Sequence, residues 1–462
     1  MKKLKNYTKI ALVLFGLTAT VSCSSDDDGP EPFIPTNNIV EIAQTTPQLS
    51  NLVTALTKYP DLVNLLSTDG SFTVFAPNND AFTALLVALG QDSIDDIPES
   101  VLKNVLQYHV YATAALQASA VTSGTLTMAN GENAEVVANS SGVTIANATV
   151  IAVDGVATNG VVHIIDSVMI PPSILPIVGT IVAPAYFNID FTTLIAAVEA
   201  ADPSILELLL SNGPSGNGLT LFAPTNAAFE AAGITDVNGA DAILAYHVID
   251  GTITASMLPT TNGAAAEVEA IGGNLYVTNA GGAVMLNGKT TVIATDIAGS
   301  NGVVHVIDRT LVPPTSTINE IVASFATSST PEFTLLAAAL AKAGLGDFFS
   351  QDGPYTVFAP TDAAFIAAGF PDAAAINAAS EVAVAGILTH HVVKANAYVF
   401  SSDLSDGAVT MLNDQDVTIN LGSLTIQDAS GSNPAAGLIP SLLNVHATNG
   451  VVHVIDKVLL PQ

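Results

Sequence analysis

Two kinds of hydrophobic pattern alternate along the chain. In residues 37–110, apolar side chains recur at spacings of three and four, which predicts amphipathic helices. Residues 121–169 instead contain short Val, Thr, Ile and Ala segments broken by Gly and Asn, a pattern typical of a β-meander. Because the same order returns twice, each unit is expected to place its helices first and its strands last. The apolar positions that predict two helices ahead of the first strand are Ile39, Ile42, Leu49, Leu52, Val53, Leu56, Leu62, Leu65 and Leu66.

The first of two repeated motifs joins a strand to a helix. It reads TVFAPNNDAF at 73–82, TLFAPTNAAF at 220–229 and TVFAPTDAAF at 356–365. Its β-prone triplet is predicted to form a strand that ends at the proline, since proline cannot donate a hydrogen bond to a neighbouring strand. The two residues after the proline are suited to cap a helix, which should begin there. The prolines assigned to the structural core are Pro77, Pro224 and Pro360.

The second repeated motif has the pattern of a fully buried strand. Its copies read TNGVVHIID at 158–166, SNGVVHVID at 300–308 and TNGVVHVID at 448–456. An Asn-Gly turn leads into an almost continuous apolar run, as in a strand that is covered on both faces. We interpret its histidines as core imidazoles with hydrogen-bonded nitrogens, and not as catalytic or metal-binding groups. These are His163, His305 and His453. The aspartate that ends each copy is expected either to bond to the imidazole or to cap a turn.

The spacing of the motifs divides the chain into three domains. Phe75 of the first motif recurs after 147 residues and again after a further 136, which is the size of an ordinary domain and far exceeds a solenoid repeat. We place the domains at residues 37–172, 173–314 and 315–462. The joints are Ile170-Pro-Pro172 and Val312-Pro-Pro314. Because paired prolines restrict the joints to extended forms, they favour a rod of three domains over a compact cluster of them.

A Tyr-His-Val sequence lies between the two motifs, at residues 108–110 and 246–248. The two motifs in this order, with Tyr-His between them, resemble the fasciclin (FAS1) domain family over three units from about residue 37 to the C-terminus. The resemblance implies an α+β fold. Each domain would be a β-wedge or sandwich of short strands, with a set of helices packed at one side. It also implies an adhesive and non-enzymatic role.

The Tyr-His dipeptide is the candidate ligand-binding site that the resemblance implies. In animal proteins of the family it has been linked to integrin binding and cell adhesion. The third unit departs from the pattern, with two consecutive histidines. The alternative is structural, in which an amphipathic ring and a hydrogen-bonded imidazole fill a helix-to-strand junction. The candidate residues are Tyr108, His109, Tyr246, His247, His390 and His391.

The N-terminal segment predicts export and lipidation. Basic residues precede an apolar stretch, Ile10 to Ala19, that is too short to span a bilayer, so we interpret residues 1–22 as a secretory signal peptide. The sequence that ends at Cys23 resembles a lipobox, which makes this cysteine the expected lipidation site. A buried thiol is the alternative, but the polar Ser/Asp run that follows offers no core.

Residues 23–36 are predicted to form an acidic, proline-rich tether that holds the domains away from the membrane. The segment also resembles the acidic export signal of flavobacterial lipoproteins. That resemblance implies a lipid anchor in the outer membrane, with the domains exposed at the cell surface.

Charge and motif content narrow the possible partners and activities. The 11 basic and 41 acidic residues give a net charge of −30, and removal of the signal peptide leaves 7 basic residues and a net charge of −34. Nucleic acid is excluded as a partner, since phosphate binding requires a basic patch. The chain contains no nucleophile elbow, zinc-protease signature or phosphate loop with its lysine. We therefore predict no catalytic residue, no metal site and no cofactor.

Two functions are compatible with these patterns. In the first, the protein is a surface adhesin that attaches the cell to other cells, matrix or a biofilm through repeated weak contacts. In the second, it is a polysaccharide-binding accessory that captures glycans. Carbohydrate sites usually present exposed aromatic side chains, yet the chain has no Trp and only 9 Tyr and 17 Phe. Composition therefore favours adhesion, with a surface protein or polysaccharide as the partner.

Overall fold

The computed structural model describes residues 34–259, 265–395, 397–430 and 433–462. The signal peptide, Cys23 and the tether up to residue 33 lie outside these residues. Three α+β units follow one another along the described chain. Within the same ranges, no helix combines the length and the hydrophobicity needed to cross a membrane.

Domain 1 begins with three short helices where the sequence predicted two. The reason is proline, which fits the first turn of a helix but interrupts its interior. Pro47 follows the end of the first helix, and Pro60 begins the third. The helices are Ile39–Thr45 (α1), Ser50–Thr57 (α2), Pro60–Ser67 (α3), Asn79–Leu89 (α4) and Glu99–Gln107 (α5). The strands are Phe72–Pro77 (β1), Val110–Tyr111 (β2), Gly124–Thr127 (β3), Asn133–Asn139 (β4), Gly142–Ile145 (β5), Ala148–Ala157 (β6) and Gly160–Ile165 (β7).

Domain 2 repeats this order of elements, whereas domain 3 has two helices before its first strand and three after it. The helices of domain 2 are Ala183–Tyr186 (α6), Thr192–Ala200 (α7), Pro203–Leu210 (α8), Asn226–Ala232 (α9) and Asp241–Tyr246 (α10). Its strands are Leu219–Pro224 (β8), Val248–Asp250 (β9), Ala266–Ala270 (β10), Gly273–Ala280 (β11), Ala283–Leu286 (β12), Thr290–Gly299 (β13) and Gly302–Ile307 (β14). The helices of domain 3 are Ile318–Ala326 (α11), Thr334–Ala343 (α12), Asp362–Ala367 (α13), Ala373–Ala378 (α14) and Glu381–Thr389 (α15). Its strands are Tyr355–Pro360 (β15), Gly407–Thr410 (β16), Asp416–Asn420 (β17), Thr425–Gln427 (β18), Ala436–Gly437 (β19), Val445–Ala447 (β20) and Gly450–Ile455 (β21).

The two residues after the strand-ending proline cap two different helices. In domain 1, the side chain of Asn78 accepts the N–H of Ala81 at 2.8 Å and so caps α4. The Oδ1 of Asn79 instead accepts the N–H of Asn51 in α2 at 3.0 Å. The equivalent pairs are Thr225 with Asn226 and Thr361 with Asp362. Because the first N–H groups of a helix have no partner within it, the motif positions two helices at the end of one strand.

The two repeated motifs lie side by side as parallel strands. In domain 1, β1 pairs with β7 along its whole length, so that Phe75 lies beside His163. The same register places Phe222 beside His305 and Phe358 beside His453. The further strands extend this pair to a seven-stranded sheet in domain 1 and a closed barrel in domain 2. In domain 3 they form sheets of three and four strands.

The strand of the first motif separates two hydrophobic cores in each domain. Val74 and Ala76 belong to a helix-side core, whereas Phe75 belongs to a strand-side core. The cause is the alternation of side chains across a strand. Domain 2 divides Leu221 and Ala223 from Phe222 in the same way, and domain 3 divides Val357 and Ala359 from Phe358. The α+β fold with helices packed at one side is thereby confirmed.

Neighbouring domains share buried surface across both joints. The helix-side cores of domains 1 and 2 are continuous and include Ile174 and Ile177 of the connecting segment. Ser173 Oγ also donates a hydrogen bond of 2.8 Å to Glu132 of domain 1. Domains 2 and 3 meet at a separate aromatic cluster. The domains are therefore not separated at the joints, because apolar side chains on both sides of each joint are buried together, and the rod itself stays a prediction.

Candidate functional site

The six candidate ligand-binding side chains lie in the interior of the protein. In every domain they lie at the C-terminal end of the helix that precedes the second strand or bridge of the unit, namely α5, α10 or α15. None of the six has more than 2% of its surface exposed. The residues are Tyr108, His109, Tyr246, His247, His390 and His391.

The second histidine of each pair connects two distant parts of its domain. His109 Nδ1 lies 2.7 Å from the carbonyl oxygen of Val105, one turn back in α5. Its Nε2 accepts the N–H of Met169 at 2.9 Å, in the segment that leaves the domain. Since Nε2 faces an N–H donor, the proton resides on Nδ1, which donates to the carbonyl. We call this arrangement the histidine staple.

The histidine staple is the same in all three domains. His247 bonds to Ile243 O at 2.7 Å and to Leu311 N at 2.9 Å. His391 bonds to Ile387 O at 2.8 Å and to Leu459 N at 2.9 Å. Burial lowers the pKa of His109, of His247 and of His391 to about 4. The imidazoles are therefore neutral at pH 7, and both nitrogens of each ring are already occupied.

The first residue of each pair differs between the domains. The hydroxyl groups of Tyr108 and Tyr246 donate to the carbonyl oxygens of Asn133 and Asn274, each at 2.8 Å. His390 instead has its Nδ1 3.1 Å from Asn413 Oδ1, and its buried Nε2 has no hydrogen-bond partner. In domain 3, a side-chain contact thus replaces a bond to the backbone.

This geometry supports the structural interpretation of the Tyr-His dipeptide. A ligand at the surface of this conformation cannot reach the six side chains, since at most 2% of each residue is exposed. Ligand binding by these residues stays a prediction, and it requires that the junction open.

The histidines of the second motif occupy the strand-side core. His163 stacks on Phe75 with ring centroids 5.6 Å apart, and its Nε2 lies 2.8 Å from Leu116 O. The backbone N–H of Asp154 points at Nδ1 from 3.4 Å. His305 and His453 repeat these contacts. Burial lowers the pKa of His163, and it lowers that of His453 to about 4.

The aspartate that ends the second motif bonds to a backbone group. Asp166 Oδ1 accepts the N–H of Thr149 at 2.8 Å, which fixes the end of β7 against β6. Asp308 and Asp456 accept the N–H groups of Thr291 and Gly437 in the same way. The partner of the carboxylate is thus the neighbouring chain segment and not the imidazole.

A buried asparagine in the second motif is a structural residue that the sequence pattern did not reveal. Asn159 Oδ1 accepts the N–H of Ile39 at 3.0 Å, and its Nδ2 donates to the carbonyl oxygens of Leu66 and Thr68 at 2.8 and 2.9 Å. Asn301 and Asn449 make the same three bonds. The sequence suggested only a turn at this Asn-Gly, although the recurrence of asparagine was the available signal.

No group of three or more His, Cys, Asp or Glu side chains that could hold a metal ion occurs in the described ranges. The titratable residues that recur in all three domains are tied to backbone groups of their own domain. Their arrangement builds one α+β domain three times and defines a tandem-repeat protein.

The repeats are fasciclin domains, and the chain belongs to that family. A family model described as "Fasciclin domain" matches residues 47–171, 189–313 and 331–461. The pig transforming growth factor-beta-induced protein ig-h3 is 28% identical over 440 residues, which are 92% of this chain and 58% of that protein. Human periostin is 32% identical over 318 residues, or 64% of this chain and 34% of periostin.

A bacterial relative corresponds to a single domain. The Synechocystis protein sll1735 is 38% identical over 133 residues, which are 29% of this chain and 97% of that protein. The chain thus spans about half of ig-h3 and a third of periostin, but a single domain of it spans nearly all of sll1735.

Proposed function

We propose that this protein is a non-catalytic adhesion lipoprotein of the cell surface. Its three fasciclin domains would attach the cell to other cells, to matrix or to a biofilm. The observation that carries the proposal is the presence of three complete domains of this family in one chain. Weak contacts made by several domains of one molecule add up, because each bound domain holds the others close to their partners.

Domain 1 begins directly after the predicted tether. The N–H of Thr158 donates to Asn37 O, and the side chain of Asn38 caps α1, so domain 1 begins at these residues. In our proposal Cys23 carries the lipid in the outer membrane, and residues 23–36 connect it to domain 1. The tether would present all three domains on the outer face.

The acidic surface restricts the chemistry of the partner. With 41 acidic residues against 11 basic ones, long-range electrostatics favour partner surfaces that are neutral or basic. Because the six Tyr-His side chains are covered, the adhesive contacts in this conformation fall on other, exposed residues. A partner protein or polysaccharide therefore has to recognise the outer faces of the domains.

Attachment to cells tests the proposal. Beads coated with residues 37–462 are compared with beads that carry the same number of copies of residues 37–172. We expect saturable attachment to whole cells, with the three-domain chain binding on the order of a hundredfold more strongly through avidity. Saturable capture of one glycan from a polysaccharide array, without any cell attachment, would instead establish the accessory role. Turnover of a substrate would contradict a non-catalytic protein.

Anchoring is tested separately by labelling with a fatty-acid analogue. We expect the label on the full-length chain and its loss in the Cys23→Ser variant. Label that persists in the variant would show that the lipid is attached elsewhere and would contradict Cys23 as the anchor.

A further inference from the structure

Domains 2 and 3 contact each other through aromatic side chains. Tyr276 of β11 packs against Tyr398 and Phe400 of domain 3, with ring centroids 4.3 and 5.6 Å away. His446 of β20 meets the same ring edge-on at 5.7 Å. Tyr276 retains 7% of its exposure and Phe400 none. Domain 3 thus covers the face of β11 that points away from the strand-side core of domain 2.

Close backbone approach and hydrogen bonds complete the contact. Asn444 Nδ2 donates to Gly288 O at 2.7 Å, and Thr278 Oγ1 donates to Ser402 Oγ at 2.9 Å. A Cβ added at Gly288 would lie 2.6 Å from the Cβ of Phe400. Only a residue without a side chain leaves room for domain 3 at this point.

At the position equivalent to Tyr276, the other two repeats have exposed polar residues. The strand register places Glu135 of domain 1 and Thr418 of domain 3 where domain 2 has Tyr276. Both of these residues are exposed. An aromatic ring is present only in the repeat that receives domain 3.

The aromatic residues that domain 3 contributes to the contact are also absent from the other two repeats. The first-motif threonines Thr73, Thr220 and Thr356 bond to equivalent loop residues, which aligns the three loops. Where domain 3 has Tyr398 and Phe400, domain 1 has Ala115 and Gln117, and domain 2 has Thr252 and Thr254. Where domain 3 has His446, the strand register gives Val156 in domain 1 and Ala298 in domain 2.

Net charge opposes this contact. Residues 173–314 contain 2 basic and 12 acidic side chains, and residues 315–462 contain 3 and 13, so each domain has a net charge of −10. Two such domains repel each other in water. The contact is made of rings, which gain from burial, and of neutral groups that keep hydrogen bonds across it, so it forms without adding charge.

We propose that domain 2 carries a dedicated docking surface for domain 3, centred on Tyr276 and Gly288. The surface locks the two C-terminal domains into one rigid unit that persists without the covalent joint. Domain 1, which has Glu135 in place of the tyrosine, cannot receive domain 3. The proposal concerns the internal architecture of the chain and stands whether or not the protein is an adhesin.

The test cuts the joint in the folded protein. A protease recognition sequence is inserted between Pro314 and Thr315 of the chain from residue 37, the protein is cleaved, and the two parts are followed by size-exclusion chromatography. We expect the wild-type parts to elute together at about 1 μM. The Tyr276→Glu variant, which introduces the residue of domain 1, should weaken reassociation about thirtyfold or more, as loss of a central buried aromatic does.

Two further variants keep the result interpretable. Thr418→Glu introduces the same residue at the equivalent exposed position of domain 3, and its parts should stay together. Gly288→Asn blocks the approach of Phe400 while preserving the turn, since Asn147 in the corresponding turn of domain 1 has a φ of 69° against 65° for Gly288. Its parts should separate while the amide of Leu311, held by the domain 2 staple, remains protected from hydrogen exchange.

Separation of the wild-type parts on cutting would overturn the proposal. Co-elution of both the Tyr276→Glu and the Gly288→Asn parts would do the same. Salt gives an independent measure, because screening of like charges should strengthen the association of the wild-type parts. Weaker association at higher salt would indicate ion pairs and contradict a docking surface made of neutral groups.

Discussion

Replacement of His247 by leucine tests whether the histidine staple is structural. The substitution keeps a large apolar side chain at the position but removes both ring nitrogens. The N–H of Leu311 and the carbonyl oxygen of Ile243 then lose partners at 2.9 and 2.7 Å. The imidazole is 1% exposed, so solvent does not reach the site to replace the lost bonds.

The expected loss of stability follows from these two groups. A buried backbone group left without a partner costs about 1–3 kcal/mol, so the pair costs about 2–6 kcal/mol. The free energy of unfolding of a domain is typically about 5–15 kcal/mol. The variant should therefore lower the stability of domain 2 by a large fraction while leaving the histidine staple of domain 1 intact.

Hydrogen exchange measured by mass spectrometry resolves the domains within one molecule. Peptides that contain Leu311 should lose protection in the His247→Leu variant. Peptides that contain Met169, held by His109 in domain 1, serve as the internal control. Unchanged protection at Leu311 together with lost binding to cells would refute the structural argument and make His247 a ligand-binding residue.

Four further outcomes are expected. Asn301→Asp should destabilise domain 2 by about 3 kcal/mol or more in chemical denaturation, since a buried carboxylate would face two carbonyl oxygens without donors; a shift below about 0.5 kcal/mol would contradict this. Gly302→Ala should prevent the pairing of β14 with β8, because the new Cβ would lie 2.0 Å from the Leu219 carbonyl oxygen, and unchanged exchange in both strands would count against it. Acidification from pH 7 to pH 5 should reduce protection from hydrogen exchange most in the peptides of domain 3. A histidine with a pKa of about 4 in the folded state and 6.5 in the unfolded state contributes stability that is fully present above pH 6.5 and is lost as the pH falls towards 4. At pH 5 the loss is about 2 kcal/mol per histidine. Domain 3 has three such histidines and domain 2 has one, while domain 1 has one together with His163, whose pKa is also lowered; equal losses in all domains would disprove the assignment. The histidines are His109, His247, His391, His446 and His453. Tyr276→Glu should make domains 2 and 3 unfold as separate calorimetric transitions, whereas a single shared transition would contradict their coupling through this ring.

Local chemistry made much of each domain predictable. The proline that ends the first-motif strand and the capping residues after it act over a few positions, so Asn78, Thr225 and Thr361 cap helices as expected. The apolar run of the second motif predicted a strand covered on both faces, which β7 is. Its histidines are buried for the same reason. The helix count failed in domain 1 because apolar spacing alone does not register the interruption at Pro47.

The candidate site was less predictable, because exposure is a property of packing. Tyr108 and His109 combine apolar rings with polar groups, so their sequence is compatible both with a surface epitope and with a buried junction. The decision came from the segment around Met169, which lies 60 residues away in the chain and covers the imidazole. Asn159 was missed for the same reason, since its partners lie 93 and 120 residues away.

The sequence by itself determined that there are three copies of one domain, where their strands and capped helices begin, and that the chain is strongly acidic. These properties depend on spacing and on side-chain chemistry within short segments. Only the tertiary structure decided that the two motifs pair as parallel strands, that the Tyr-His side chains are covered, and that Tyr276 meets Phe400. Each of these depends on the register between segments far apart in the chain, which no local pattern specifies.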